Sequence, residues 1–402
     1  MRTKYFLSGM FLAILWLLSL QSQATDPAVQ LYERLFSKEK TDYKKLFHTS
    51  FLSQVPEKKI VEFVALYHEN VGDYVSCIQK EAGKYDLIFK RGKVPSVIAF
   101  NSSQQITTLW LGYWTLYDDT IDKVMAEFKK LEGTVAVTLI KNGKELISHN
   151  SELPLGVGSA FKLIVLKALE EKKKEGECSD ETVVALDSSK FSIPSGFLQS
   201  WPDRTPVTLK TLANLMISIS DNTATDALIY FLGRDYVEKF APAETKPFLT
   251  TMDMFRIKWA ISNKEQKEYL RAGIEEKRKL LEKYQRFSNK DIQLNMEKPC
   301  LIDKVEWHIS TRKLCEILYD MRENSSISIN PGLVKKSSWW KAGYKGGSEP
   351  GVLNYTHILQ KTEKSDIYLL STTINNPVKE VQTEGFTELV LRLISLIEEG
   401  KI

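Results

Sequence analysis

Ser159 and Lys162 stand at i and i+3 at the head of an apolar run, Leu163, Ile164, Leu166 and Leu169. On a helix this spacing puts both side chains on one face, one turn apart. A serine hydroxyl becomes a useful nucleophile when a neighbouring group takes its proton. A lysine held out of water can have its pKa lowered enough to do so. The start of a helix also offers free backbone N–H groups that can stabilise an oxyanion. Taken alone, the pair is a weak signal, better read as a capping serine followed by a surface lysine.

Two further clusters give it company. Ser220-Asp221-Asn222 closes an apolar helical stretch containing Leu212, Leu215, Met216 and Ile219. Its hydroxyl can relay a proton to a leaving group, and the Asn222 amide can grip a substrate carbonyl. Lys345-Gly346-Gly347-Ser348 precedes a strand-like run, Val352–Leu359. A lysine and bare backbone on an edge strand bring charge and N–H groups close to a bound acyl group. Each cluster in isolation also has a plain reading, a turn or cap for the first and a glycine turn for the second.

The elements that must position these residues fall into two blocks. Residues 27–70 read as helical, with Val29, Tyr32, Leu35 and Phe36 in one helix. A second helix opens at Pro56, with Ile60, Phe63, Val64 and Tyr67 on one side. From Asp73 the period changes to two, and four strands are predicted within 74–78, 85–89, 96–100 and 106–111. Residues 25–117 therefore form a small α+β domain. The second block, 118–402, opens with a helix near Asp119–Leu131 and a hairpin turning at Asn142-Gly143. Helical patterns follow. Strands return at Val352–Leu359 and Ile367–Ile374, and a last helix is expected from Pro377 to about Glu399. One sheet is thus built from both ends of the block with helices inserted between, an α+β architecture. The charged stretch 262–291 predicts one long solvated helix, since its charges alternate in sign.

In this order the three clusters resemble the S-x-x-K, S-D-N and K-T-G set of class A β-lactamases and penicillin-binding proteins. The run Thr208-Leu209-Lys210-Thr211-Leu212 leading into Ser220-Asp221-Asn222-Thr223-Ala224 is similar as well. The resemblance covers residues 119–402. It implies a β-lactamase/transpeptidase-like fold and a covalent acyl-enzyme mechanism on a small-molecule substrate, whether β-lactam, ester or peptidoglycan-like amide. Ser159 would attack, Lys162 would accept the proton, Ser220 would shuttle one to the leaving group, and Lys345 would support Ser220 and attract a carboxylate. The N–H groups of Ser159 and Ser348, beside Gly347, would form the oxyanion hole. No cofactor is implied. The alternative is a penicillin-recognising sensor or transpeptidase relative that is acylated but barely deacylated.

Departures bear on that choice. Gly346 holds the Thr or Ser position of K-T-G, so a carboxylate-binding hydroxyl is missing there. No E-x-x-L-N loop is recognisable, and Glu297 and Glu306 are the candidate replacements for its deacylating carboxylate. The two-block plan also resembles the esterase-like enzymes of clavulanic-acid biosynthetic clusters, which join a small NTF2- or cystatin-like domain to a β-lactamase-like one. The stretches Lys345–Gly351 and Val305-Glu306-Trp307 carry that likeness.

The remaining features bound the setting. Arg2 and Lys4 precede an apolar run, Tyr5–Leu20, and Ser22-Gln23-Ala24 completes a small-x-small cleavage pattern. Residues 1–24 therefore read as a secretory signal peptide, with a periplasmic or secreted product and no stable membrane insertion after cleavage; the rival reading is an uncleaved membrane anchor, since the apolar run is near the lower limit for spanning a bilayer. With 55 basic against 51 acidic residues the net charge is only +4, which gives no reason to expect a nucleic-acid partner. Cys77, Cys178, Cys300 and Cys315 are compatible with disulfides or with buried thiols. The five histidines lack metal-ligand spacing, so no metal is expected. Trp201, in the loop before Thr208, reads either as a stacking residue at a cleft mouth or as a packed loop aromatic.

Overall fold

The structure, a computed structural model, describes residues 26–37 and 41–402. The expected signal peptide, residues 1–24, lies outside the described residues. The chain separates into two units, one ending at Asp119 and the other running from Thr120 to Ile402. No helix among the described residues is long and apolar enough to cross a membrane.

In the first unit, helix α1 (Pro27–Leu35) starts where the Asp26 side chain accepts the Ala28 N–H at 3.0 Å. Ala28, Leu31, Tyr32 and Leu35 are buried, the i, i+3, i+4, i+7 stripe of an amphipathic helix. Helix α2 (Glu57–Val71) buries Ile60, Val64, Tyr67 and Val71. Phe63, expected on that side, faces solvent instead. Strands β1 (Tyr74–Glu81), β2 (Lys84–Phe89), β3 (Gly92–Phe100) and β4 (Ile106–Leu111) form the expected antiparallel meander in sequential order. Tyr85, Leu87 and Phe89 alternate into the core under the helices.

The second unit is an antiparallel sheet with helices on both faces. After helix α3 (Ile121–Phe128) come β5 (Thr134–Lys141) and β6 (Lys144–His149). Asn142 and Gly143, at φ 47° and 81°, make the tight turn between them. The C-terminal strands are β7 (Lys341–Glu349), β8 (Val352–Gln360) and β9 (Ile367–Asn375). The strand order is β7-β8-β9-β5-β6, so β7 lies at an edge. Both ends of the unit meet where β9 pairs with β5, Thr372 opposite Val137.

Side chains alternate through this sheet into two cores. Leu139, Leu370 and Ile374 face one side with Phe128 and Phe386, whose rings meet edge to face at 5.6 Å. Phe386 belongs to the last helix, α11 (Thr383–Glu398). That helix starts later than Pro377 led us to expect. The Asn376 side chain accepts the N–H groups of Val378 and Lys379, which holds the segment in a turn.

Ile358 and Leu369 face the other core, with helices α4 (Lys162–Lys174), α5 (Leu209–Ser218), α6 (Asn222–Leu232), α7 (Thr251–Trp259) and α10 (Thr311–Asp320). The charged stretch between α7 and α10 is two helices, not one: α8 (Asn263–Arg271) and α9 (Ile274–Tyr284). Ala272 and Gly273 turn extended and stop the first. Tyr269, Leu280, Leu281 and Tyr284 then join the core, so the thin apolar stripe is a packing face. The four cysteines are free thiols, with Cys315 buried in α10.

Candidate active site

Ser159 sits on a 3₁₀ turn, Gly158–Phe161, that runs directly into α4. The turn is fixed from below by aromatic packing. Phe161 stacks on Trp307 with ring centroids 3.6 Å apart and planes 10° apart, and meets Phe248 edge to face. It is fixed from the side by β7. A Cβ on Gly347 would fall 2.2 Å from Val157 O and 2.3 Å from Ser159 N, so only glycine allows the strand to approach this closely. The backbone of Gly347 and Ser348 is thereby laid against that of Ser159. Among the described residues Ser159 Oγ has no hydrogen-bond partner, and it opens into a cavity of about 500 Å³.

Lys162 is fully buried. Its Nζ donates to Asn222 Oδ1 at 2.7 Å, Ser220 O at 2.6 Å and Ser220 Oγ at 3.0 Å. Burial drives its pKa well below the usual lysine value, and the nearby Lys345 charge adds to the effect; Asp226 and Asp221 oppose it. Lys345, also buried, reaches the same hydroxyl from β7. Its Nζ lies 3.1 Å from Ser220 Oγ and 2.6 Å from Gly346 O. Burial lowers its pKa to about 7.

Ser220 is thus held between two amines, in a backbone conformation that needs explaining. Its φ is +60°, a region costing a non-glycine residue about 1–3 kcal/mol. Asp221 supplies the restraint. Its carboxylate accepts Phe197 N at 2.8 Å, Leu198 N at 3.0 Å and, as the cap of α6, Ala224 N at 2.8 Å. Asn222 is tied on both sides, accepting from Lys162 and donating from Nδ2 to Ile193 O at 2.8 Å.

The cavity wall includes Thr251, Met254 and Phe255 from α7, none of them a carboxylate. Asp226, buried in α6, accepts Thr251 N and Met252 N at 2.7 and 3.0 Å and anchors that wall; burial pushes its pKa up to about 7. Two carboxylates do line the cavity, Glu306 and Glu349. Lys258 holds Glu349 at 2.6 and 2.8 Å and lies 3.6 Å from Glu306. Burial and the Glu306 charge push the Glu349 carboxyl well above the usual range, against the pull of Lys258. Glu297 is exposed and off the cavity, although its neighbour Met296 lines it. Trp201 packs near Phe197 at a centroid distance of 6.0 Å and does not line the cavity either.

Residues 117–280 match the model of the Beta-lactamase enzyme family, a span holding Ser159, Lys162 and Ser220. Over that span the chain is similar to the β-lactamase family. Several solved structures are similar. A β-lactamase from Sphaerobacter thermophilus is 20% identical, with 70% of this chain and 96% of that one covered at a TM-score of 0.47. A β-lactamase from Francisella tularensis is 12% identical, covering 70% and 99% at 0.48. PBP-A is 13% identical, covering 68% and 94% at 0.45. No curated protein matches the chain.

In the second unit the structure brings together Ser159, Lys162, Ser220, Asn222, Lys345, Gly347, Ser348 and Glu306, and leaves out Glu297. Sequence reasoning missed Lys258 and Glu349 as partners of Glu306, and Tyr344 on the cavity wall. Asp221 caps α6. An acidic residue beside a serine at a helix start is a capping signal, and that signal was available.

Proposed function

We propose that the chain is an exported serine hydrolase that forms a covalent acyl-enzyme at Ser159 on β-lactam or related amide or ester substrates. The observation that carries this reading is Ser220 Oγ held between Lys162 Nζ and Lys345 Nζ, at 3.0 and 3.1 Å, in the cavity that Ser159 enters. Ser159 Oγ attacks the carbonyl carbon, and neutral Lys162 takes the hydroxyl proton. The N–H groups of Ser159 and Ser348 receive the oxyanion. As the carbon–nitrogen or carbon–oxygen bond breaks, Ser220 gives its proton to the leaving atom and regains one from Lys162 across their hydrogen bond. The acyl group stays on Ser159 as an ester, and water later releases it as an acid.

A second reading, a penicillin-recognising protein that deacylates slowly, is favoured by one observation. The two cavity carboxylates are bound up with Lys258, and the α7 wall carries no carboxylate to activate water. Intact-protein mass spectrometry over time with benzylpenicillin and p-nitrophenyl esters separates the two. An adduct that forms and decays, absent in Ser159→Ala, supports hydrolysis. A persistent adduct supports the second reading. No adduct above the Ser159→Ala control ends both.

Export is a proposal on the sequence pattern of residues 1–24. Expressed with its leader in a bacterial host, the protein is expected to be recovered outside the cytoplasm with Thr25 at its N-terminus. Recovery of the uncut chain from the cytoplasm overturns it.

A further inference from the structure

We propose that Tyr344 anchors the substrate: its hydroxyl donates a hydrogen bond to a carboxylate carried by the acyl donor. The inference deepens the acyl-transfer reading above and rests on it. Tyr344 and Gly346 are two apart on β7 and so share a face of the strand. A Cβ at residue 346 would fall 2.1 Å from Tyr344 Oη and 2.8 Å from Cζ. The tyrosine therefore lies along the strand, with its hydroxyl in the space that a side chain at 346 would occupy. Gly346 makes room for a hydroxyl delivered from two residues away.

The ring is held in place. His357 is its directly opposed partner on β8, with ring centroids 4.7 Å apart. His357 is in turn fixed by accepting Leu333 N at 3.3 Å, and burial keeps the imidazole neutral with a pKa of about 3. On the other side lies Gly332, at φ +64°, where a Cβ would come within 2.5 Å of the ring carbons. Tyr344 lines the same cavity as Ser159, Ser220 and Lys345. Its hydroxyl has no hydrogen-bond partner among the described residues, and burial raises its pKa above the usual phenol value, so it stays a donor.

An immobilised, unpaired donor facing a cavity is preorganised for an acceptor that arrives with the ligand. The charge in that cavity selects the acceptor. Lys345 contributes an ammonium to the lining, whereas Glu306 and Glu349 are balanced by Lys258. Lys345 Nζ contacts a hydroxyl and a carbonyl oxygen and no carboxylate, and a carboxylate on the ligand is the acceptor that uses both groups.

The test compares benzylpenicillin with its methyl ester, which differ only in that carboxylate, on the wild type and Tyr344→Phe. The readout is the second-order acylation rate by intact-protein mass. Tyr344→Phe is expected to slow acylation by benzylpenicillin about 10- to 100-fold and to change the methyl ester less than about 2-fold, with unaltered thermal melting. Equal effects of the variant on both compounds overturn the proposal while Ser159-dependent acylation of the wild type still stands. Failure of the wild type to be acylated by either compound removes the acyl-transfer reading, and this proposal with it.

Discussion

Lys345 Nζ stands 3.1 Å from Ser220 Oγ on a lysine whose pKa burial has brought to about 7. Near neutrality this amine is therefore divided between charged and neutral forms, in contact with the hydroxyl proposed to protonate the leaving group. A bound carboxylate favours the charged form and raises that pKa, so anion binding and proton uptake are coupled.

The expected consequence is a pH-dependent preference for anionic substrates. Below about pH 7 Lys345 is charged, and benzylpenicillin is favoured over its methyl ester; as pH rises through about 7 the charge is lost and the preference shrinks. Lys345→Ala is expected to abolish the pH dependence of the ratio. Acylation rates from pH 5.5 to 9 check this, and a ratio that stays constant in the wild type contradicts it.

Gly347→Ala tests the approach of β7 to the nucleophile. The new methyl group would meet Val157 O at 2.2 Å and Ser159 N at 2.3 Å, both backbone atoms with no rotamer to yield. The strand must back away, carrying Ser348 N with it. Acylation is expected to fall about 100-fold or more, the scale of losing one oxyanion donor. Stopped-flow acylation with a chromogenic ester measures it, and a loss below about 3-fold excludes the tight register.

What could be read in advance divides along physical lines. Ser159, Lys162, Ser220 and Lys345 were legible because each belongs to a short run whose local spacing already orients it. The sheet built from both ends was legible from period-two runs and the Asn142-Gly143 turn. The Lys258–Glu306–Glu349 cluster was not, since α7, the loop before α10 and the end of β7 meet only in the fold. Tyr344 was hidden for a related reason. A glycine at 346 reads as a lost hydroxyl until the cross-strand neighbour His357 shows where the tyrosine ring lies. The single helix expected over 262–291 failed because charge pattern cannot reveal that Leu280, Leu281 and Tyr284 are packed inside.

Asp221 is expected to govern the pose of Ser220. Asp221→Ala removes a helix cap and takes the acceptor from the N–H groups of Phe197 and Leu198, the second of them buried. The loss should reach about 3 kcal/mol from these terms together. Asp221→Asn, which keeps an acceptor, should cost less. Urea unfolding gives the stability, and acylation rates at a temperature where both variants are folded give the effect on Ser220. If Asp221→Ala acylates as fast as the wild type, Ser220 does not depend on this clamp.

The buried cluster beside the cavity makes the last prediction. Lys258, Glu306 and Glu349 have side chains 0%, 0% and 9% exposed, so two carboxyls share one ammonium away from water. Burial and the Glu306 charge favour the protonated form of Glu349. A carboxyl whose folded pKa lies above its unfolded value stabilises the fold fully below the unfolded value, 4.5, and loses that contribution as pH rises through the folded one. Stability of the wild type should accordingly decline above pH 4.5 through this group, and Glu349→Gln, which mimics the protonated form, should flatten the decline. Lys258→Met leaves the pair without its cation and is expected to cost about 3–5 kcal/mol at pH 7, less at pH 5. Urea titrations of the three proteins at both pH values provide the check. A loss in Lys258→Met that is larger at pH 5 than at pH 7 would mean that the proton does not reside on this carboxyl pair.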